Sequence, residues 1–283
     1  MRLKKNVMTS SGTMITASDR IMSPDVAFLV LLRATRPSFH AQRKRPGSSG
    51  AIIDLVPDPE EVRTLARAAG TSGDVALRRR TGAGGTVDEL IVNGTFAMDS
   101  AEVSTEIALA RMATQPDGTV LVGGLGLGFT VAELLRSTVR EIDVVELEGC
   151  LIDWARAGVT DLLGRVASDP RTRLHVADVA DVLTGAPGGP IPSDQQWDAI
   201  LLDVDNGPDF LIHDANARIY RADLLDAAAR RLAPGGTLAL WCQGPAPELA
   251  QALRDIGGHV EGQVIEVLRD GRWLAYAIYS LIR

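Results

Sequence analysis

A chain of 283 residues, 46% hydrophobic and 23% charged, can bury a sizeable core and has room for one large domain, or a small one beside a medium one. A net charge of −7 gives no overall sign of nucleic-acid binding. Two cysteines, Cys150 and Cys242, offer neither a zinc spacing nor a disulfide framework, so a reducing, cytoplasmic setting is the default.

The charge is uneven. Residues 1–45 hold nine Lys or Arg against Asp19 and Asp25, a local +7, which leaves −14 for the remainder. The apolar run Val26 to Leu32 within this tail is far short of the ~20 residues that span a membrane, and no clear cleavage site follows it. We read residues 1–48 as a basic, poorly ordered extension or as the product of a start codon set too far upstream. An arm for a membrane surface or an acidic partner is the alternative. The stretch RKRPGSSG, ending at Gly50, marks a boundary.

Ala51 to Val56 reads as a short strand. Asp58-Pro59-Glu60-Glu61 then predicts an acidic helix start, running to about Ala69. Val75 to Arg80 and Val87 to Val92 flank a glycine-rich turn and predict a hairpin. Asn93-Gly94 is another turn signal, and Ala101 to Ala113 carries helical periodicity. Residues 49–115 are thus expected to form a small β-rich module ending in a helix, and residues 116–283 a second domain. There strands at 119–122, 142–146, 172–177, 198–204 and 237–242 alternate with helices at 129–138, 149–157, about 179–183, 221–232 and Pro247 to Ile256. Strands 260–268 and 272–281 close the chain as a hairpin. This order predicts an α/β fold, a mostly parallel Rossmann-like sheet with helices on both faces and an antiparallel C-terminal end.

In such a sheet a ligand lies beyond the carboxyl ends of the strands. The first strand runs into Gly123, Gly124, Gly126 and Gly128 and then a helix, which suits a close ligand approach. The second ends in Glu146, 22 residues past Gly124, where an acid can hold ribose hydroxyls. The third ends in Asp178, which could instead cap the following helix. The fourth ends in Asp203-Val204-Asp205-Asn206-Gly207, and its two carboxylates carry the best claim to chemistry. Glu148 and Asp153 read as a solvated helix start. Trp197, Trp241 and Trp273 are expected to pack rather than stack on a ligand. His175 and His213 lack partners at ligand spacing, so no metal is expected.

The blocks VLVGGLGLGFT, VVELEGCLIDWAR, DPRTRLHVADVADVL, WDAILLDVDNGPDF and IYRADLLDAAARRLAPGGTLAL resemble, in order and spacing, the core motifs of the spermidine synthase family, which has the class I S-adenosylmethionine-dependent methyltransferase fold. The similarity covers about residues 88–245. It implies a cofactor of the S-adenosylmethionine type, ordinary or decarboxylated, and no metal. The glycines would face the cofactor's amino-acid or aminopropyl portion, Glu146 the ribose, and Asp178 and Val179 the adenine. Asp203, with Asp205, would be catalytic at the amine, and Glu106 and Tyr220 would bind the acceptor. The resemblance also implies a homodimer.

The sequence departs from the family on the amine side. Asn206 stands where a second Asp is expected, Ser104-Thr105-Glu106 where a Tyr-His-Glu run belongs, and no Gln follows the Asn-Gly turn. The implied function is a spermidine-synthase-like transferase alkylating an amine or other small acceptor. The alternatives are a small-molecule methyltransferase and a cofactor-binding protein without turnover.

Overall fold

The structure, a computed structural model, describes residues 60–71, 73–204, 207, 208, 211, 214–269 and 271–283. The expectations for the tail 1–48, the strand 51–56, the start of the acidic helix, Asp205, Asn206 and His213 lie outside the described residues.

Four strands come first: β1 (Glu61–Gly70), β2 (Gly73–Gly82), β3 (Gly85–Val92) and β4 (Thr95–Asp99), paired antiparallel in sequence order. The predicted β2–β3 hairpin is present. The predicted helix is not: Glu61 to Gly70 is a strand. Its acids suited a helix start, but its residues pair with β2 from Glu61↔Thr81 to Gly70↔Gly73, and Arg67 meets Asp74 across that pairing. Strand partners override a local helical signal in this way. Asn93 and Gly94, both at positive φ, turn the chain into β4, a strand the sequence pattern did not reveal.

After α1 (Ser104–Ala110) the strands β5 (Thr119–Gly123), β6 (Glu141–Glu146), β7 (Thr172–Val176), β8 (Trp197–Leu202), β9 (Leu232–Cys242), β10 (His259–Arg269) and β11 (Arg272–Ile282) form one sheet, ordered β10-β11-β9-β8-β5-β6-β7. Strands β5 to β9 are parallel, and β11 joins β9 antiparallel, as predicted. Alternate residues of the central strands enter opposite cores. Val120, Val122, Val144 and Leu201 pack with α1, α2 (Phe129–Leu134), α3 (Gly149–Ala157) and α4 (Asp161–Ser168). Leu121, Val145, Ile200 and Leu202 pack with α5 (Val179–Thr184), α6 (Ala222–Arg230) and α7 (Pro247–Ile256). Val75, Leu77 and Leu90 of the small sheet join the first core.

Helix α4 was not anticipated, although Thr160 caps it by accepting the Leu163 N–H at 3.2 Å. Gly164 within it weakens the helical signal. The helices expected at 101–113 and 129–138 are shorter than predicted. Of the three tryptophans expected to pack, Trp197 is fully buried and donates to Asp143 at 2.9 Å, Trp241 lines a cleft, and Trp273 is 63% exposed and does not pack in the core.

The chain leaves β5 for β6 on one side and reaches β8 and β9 on the other. The order of the sheet therefore reverses between β5 and β8, and the carboxyl ends there frame a cleft.

Candidate active site

The glycine turn after β5 is held by the protein itself. The Gly124 N–H donates to the Val145 carbonyl and the Asp203 N–H to the Gly123 carbonyl, each at 2.8 Å, which ties together the ends of β5, β6 and β8. Gly124 and Gly126 have positive φ. A Cβ on Gly124 would stand 2.2 Å from the Asp203 carbonyl oxygen, and one on Gly126 2.6 Å from the Met98 sulfur. Gly123 is pressed between Leu202 and Val179, and Gly128 faces Val166 and Leu163. The space the four glycines leave is filled by protein atoms, although Gly124 and Gly126 also line the cleft.

Glu146 is buried where β6 ends. Its carboxylate accepts the Leu125 N–H at 2.7 Å and the Glu148 N–H at 2.8 Å, so it shapes the turn as well as facing the cleft. Burial raises its pKa, and those backbone donors oppose the rise. Met98, at the end of β4, accepts the Leu127 N–H at 3.3 Å through its sulfur, and the Gly128 N–H turns back to the Leu125 carbonyl at 2.8 Å. Glu148 is buried rather than solvated. It accepts the Thr71 N–H at 2.7 Å and so pins the small sheet to the start of α3. Asp153 is exposed as expected.

Two carboxylates line the same cleft and act on each other. Asp203 is half-buried beyond β8 and accepts the Thr130 hydroxyl at 2.6 Å. Glu106 is buried in α1 and accepts the Thr105 hydroxyl at 2.7 Å. Loss of hydration, then the negative charge of Asp203, pushes Glu106 up to about 7, and burial raises Asp203 as well. Two carboxylates coupled in this way titrate as a pair. Neither Thr130 nor Met98 stood out in the sequence. Thr130 lies just past the glycines, in the first turn of α2, and that placement was the available signal.

The other predicted site residues divide. Val179 lines the cleft. Asp178 lines it too, but it caps α5 by accepting the Ala180 N–H at 2.8 Å and is paired with Arg218. Tyr220 donates its hydroxyl to the Val204 carbonyl at 3.0 Å. Its neighbours Asn216 and Ile219, from a 3₁₀ turn over Asp214–Tyr220, line the cleft in its place. Among the described residues no Lys, Arg or His lines this cleft, and no three His, Cys, Asp or Glu gather as metal ligands. Among the same residues no helix is long and apolar enough to cross a membrane.

A mostly parallel sheet with a glycine turn, an acid after the second strand and carboxylates at the switch point defines a Rossmann-like protein of the class I methyltransferase fold, carrying a small N-terminal antiparallel sheet. Within that class the chain resembles the spermidine synthase family. It is 31% identical over 126 residues to putrescine N-methyltransferase 3 of Nicotiana tabacum, covering 44% of this chain and 29% of that protein. It is 32% identical over 128 residues to the polyamine aminopropyltransferase of Mycobacterium tuberculosis strain H37Rv, covering 45% of this chain and 23% of that one. The match thus spans less than a third of either relative. A spermidine synthase solved with the transition-state analogue AdoDATO superposes with a TM-score of 0.60 at 17% identity, over 78% of this chain and 73% of that one. The spermidine synthase of Thermotoga maritima superposes with a TM-score of 0.60 at 15% identity, over 77% and 72%. No protein-family model matches the chain.

Proposed function

We propose that the protein is a transferase that alkylates an amine with decarboxylated S-adenosylmethionine. The observation that carries this reading is the charge of the cleft around the glycine turn. Glu106, Asp203, Glu146 and Asp178 line it, and among the described residues no basic side chain does. Four of the turn's N–H groups, the usual receptors for a carboxylate, already have partners: Gly124 in Val145, Leu125 in Glu146, Leu127 in Met98 and Gly128 in Leu125, and the backbone of Gly126 acts on the Glu146 carboxylate. A cofactor tail ending in an ammonium suits this wall, and one bearing a carboxylate does not.

When bound, such a cofactor supplies a carbon made electrophilic by its sulfonium, to which the amine nitrogen bonds as the carbon–sulfur pair leaves on sulfur. The residues supply alignment and proton removal. An acceptor amine is protonated near neutral pH and must lose a proton before its lone pair can attack. Glu106, with its raised pKa, takes that proton, and Asp203, held by Thr130, orients the nitrogen. In this proposal Glu146 meets the ribose, and Val179 with Asp178 the adenine. Tyr220 acts on the acceptor side through the Val204 carbonyl, and Asp205 shares the strand-end role with Asp203. The division at residues 48 and 115, a homodimer and a cytoplasmic location belong to the same proposal.

The names of the plant relatives favour a second reading, methyl transfer from the ordinary cofactor. Calorimetric titration with both cofactors separates the readings, followed by product analysis with an amine panel. Release of methylthioadenosine supports the proposal, release of S-adenosylhomocysteine replaces it with methyl transfer, and binding without either product points to a cofactor-binding protein.

A further inference from the structure

The space beyond Glu106 speaks to the chemistry of the acceptor, an inference that rests on the transferase reading above. Glu106, Met98 and Trp241 line both the cofactor cleft and a second cavity, which therefore adjoins the point of attack. The acids of the second cavity are not spread evenly along it. Glu102, just before α1, accepts the Ser104 N–H at 2.8 Å, and its charge acts on Glu106, so it belongs to the attack end.

Asp99 is different. It is 6% exposed, accepts the Ala101 N–H at 3.0 Å and is paired with Arg269, which reaches it from the end of β10. The guanidinium of Arg269 lies 5.2 Å from the centre of the Phe96 ring. The charge that Asp99 would offer a ligand cation is thus already matched, and a second ammonium arriving there meets a fixed positive charge. The rest of this wall carries no charge: aromatic and aliphatic side chains line it together with the neutral polar Thr105 and Gln243. Trp241 and Tyr276 stack with centroids 5.5 Å apart, and Phe96 and Leu274 line the cavity while 42% and 37% exposed. An apolar group laid over them leaves water, whereas an ammonium there gives up hydration without gaining an unmatched carboxylate.

We infer that the acceptor carries one cationic nitrogen on an alkyl or aromatic body, and that the Asp99–Arg269 pair excludes a second terminal ammonium. Hexylamine, 2-phenylethylamine and 1,6-diaminohexane test this on the full chain with decarboxylated S-adenosylmethionine, by methylthioadenosine release. Both monoamines are expected to exceed the diamine in kcat/KM by about tenfold, the ratio that ~1.4 kcal/mol corresponds to. Arg269→Gln uncovers the Asp99 charge and should move the ratio about tenfold toward the diamine, the same energy in reverse. The double variant Asp99→Asn, Arg269→Gln should cancel that move. Phe96→Ser removes an apolar contact without touching either charge of the ion pair and should lower the monoamine values more than the diamine's.

A diamine preference in the parent overturns the inference, and so does a ratio unmoved in a folded Arg269→Gln. If no amine yields methylthioadenosine, it is the transferase reading that fails. Calorimetric affinities of hexylamine and 1,6-diaminohexane, measured with methylthioadenosine present, then decide the pocket's preference, and tighter diamine binding refutes it.

Discussion

The two halves of the cleft are built differently. The proposed cofactor half comes from the carboxyl ends of three adjacent parallel strands, and its groups hold one another: Glu146 binds the turn after β5, and the Asp203 N–H binds that same turn. The proposed acceptor half is assembled from β4, the start of α1, the end of β9 and the β10–β11 hairpin, distant pieces that meet through contacts such as that of Arg269 with Asp99, 170 residues apart. A site made by one sheet's topology carries its signature in short motifs. A site made by distant segments can change one residue at a time while the fold stays, and it is on that side that the chain departs from the spermidine synthase pattern it resembles.

The largest expected effect tests whether the halves share a proton acceptor. Glu106→Gln should lower kcat by about 10²–10⁴-fold, the range general-base catalysis supplies, with cofactor affinity nearly kept. The parent rate should rise with pH through about 7, as Glu106 loses its proton, and the variant should lack that limb. A parent-like rate in the variant removes Glu106 from the chemistry.

Glu146→Ala probes how far the cofactor half is self-supporting. Two buried N–H groups, of Leu125 and Glu148, lose their acceptor, so stability to urea should fall by about 2–4 kcal/mol. Cofactor affinity should fall with it. A variant with parental stability would show that the turn does not depend on this carboxylate.

The pH dependence of stability follows from the same Glu106. Its pKa is raised in the folded protein, so the native state holds the proton longer than the unfolded chain. This contribution is complete below about 4.5, the unfolded value, and is lost as pH rises to about 7; it amounts to at most about 3 kcal/mol. Chemical denaturation of the parent and of Glu106→Gln from pH 4 to 8 should differ by this declining component. Parallel curves would mean that burial does not hold the proton.

The smallest effect concerns the side proposed to meet the adenine. Arg218→Ala breaks an exposed pair with Asp178 and Asp181 and should cost no more than about 1 kcal/mol of stability. It frees the outer oxygen of Asp178, so cofactor affinity should hold or rise. A steep loss of affinity would place Arg218 itself on the ligand.

Much of this was legible in the chain. Apolar runs ending in glycine or an acid announced the parallel strands, because strands covered on both faces must be apolar throughout while their ends open onto the cleft. Helices α3 and α7 have the expected bounds, and Glu106 and Asp203 were singled out before their positions were known. Tertiary structure alone decided the rest. The segment Glu61 to Gly70 became a strand because β2 offered it partners. Asp178 and Tyr220 were drawn to Arg218 and to the Val204 carbonyl, groups that no local pattern names. The pKa of Glu106 arises from burial and from Asp203, 97 residues away, and the charge on Asp99 is cancelled by an arginine from the far end of the chain. Local sequence sets backbone preference and which face is apolar. Which charged group meets which is settled only when distant segments share one low-dielectric space.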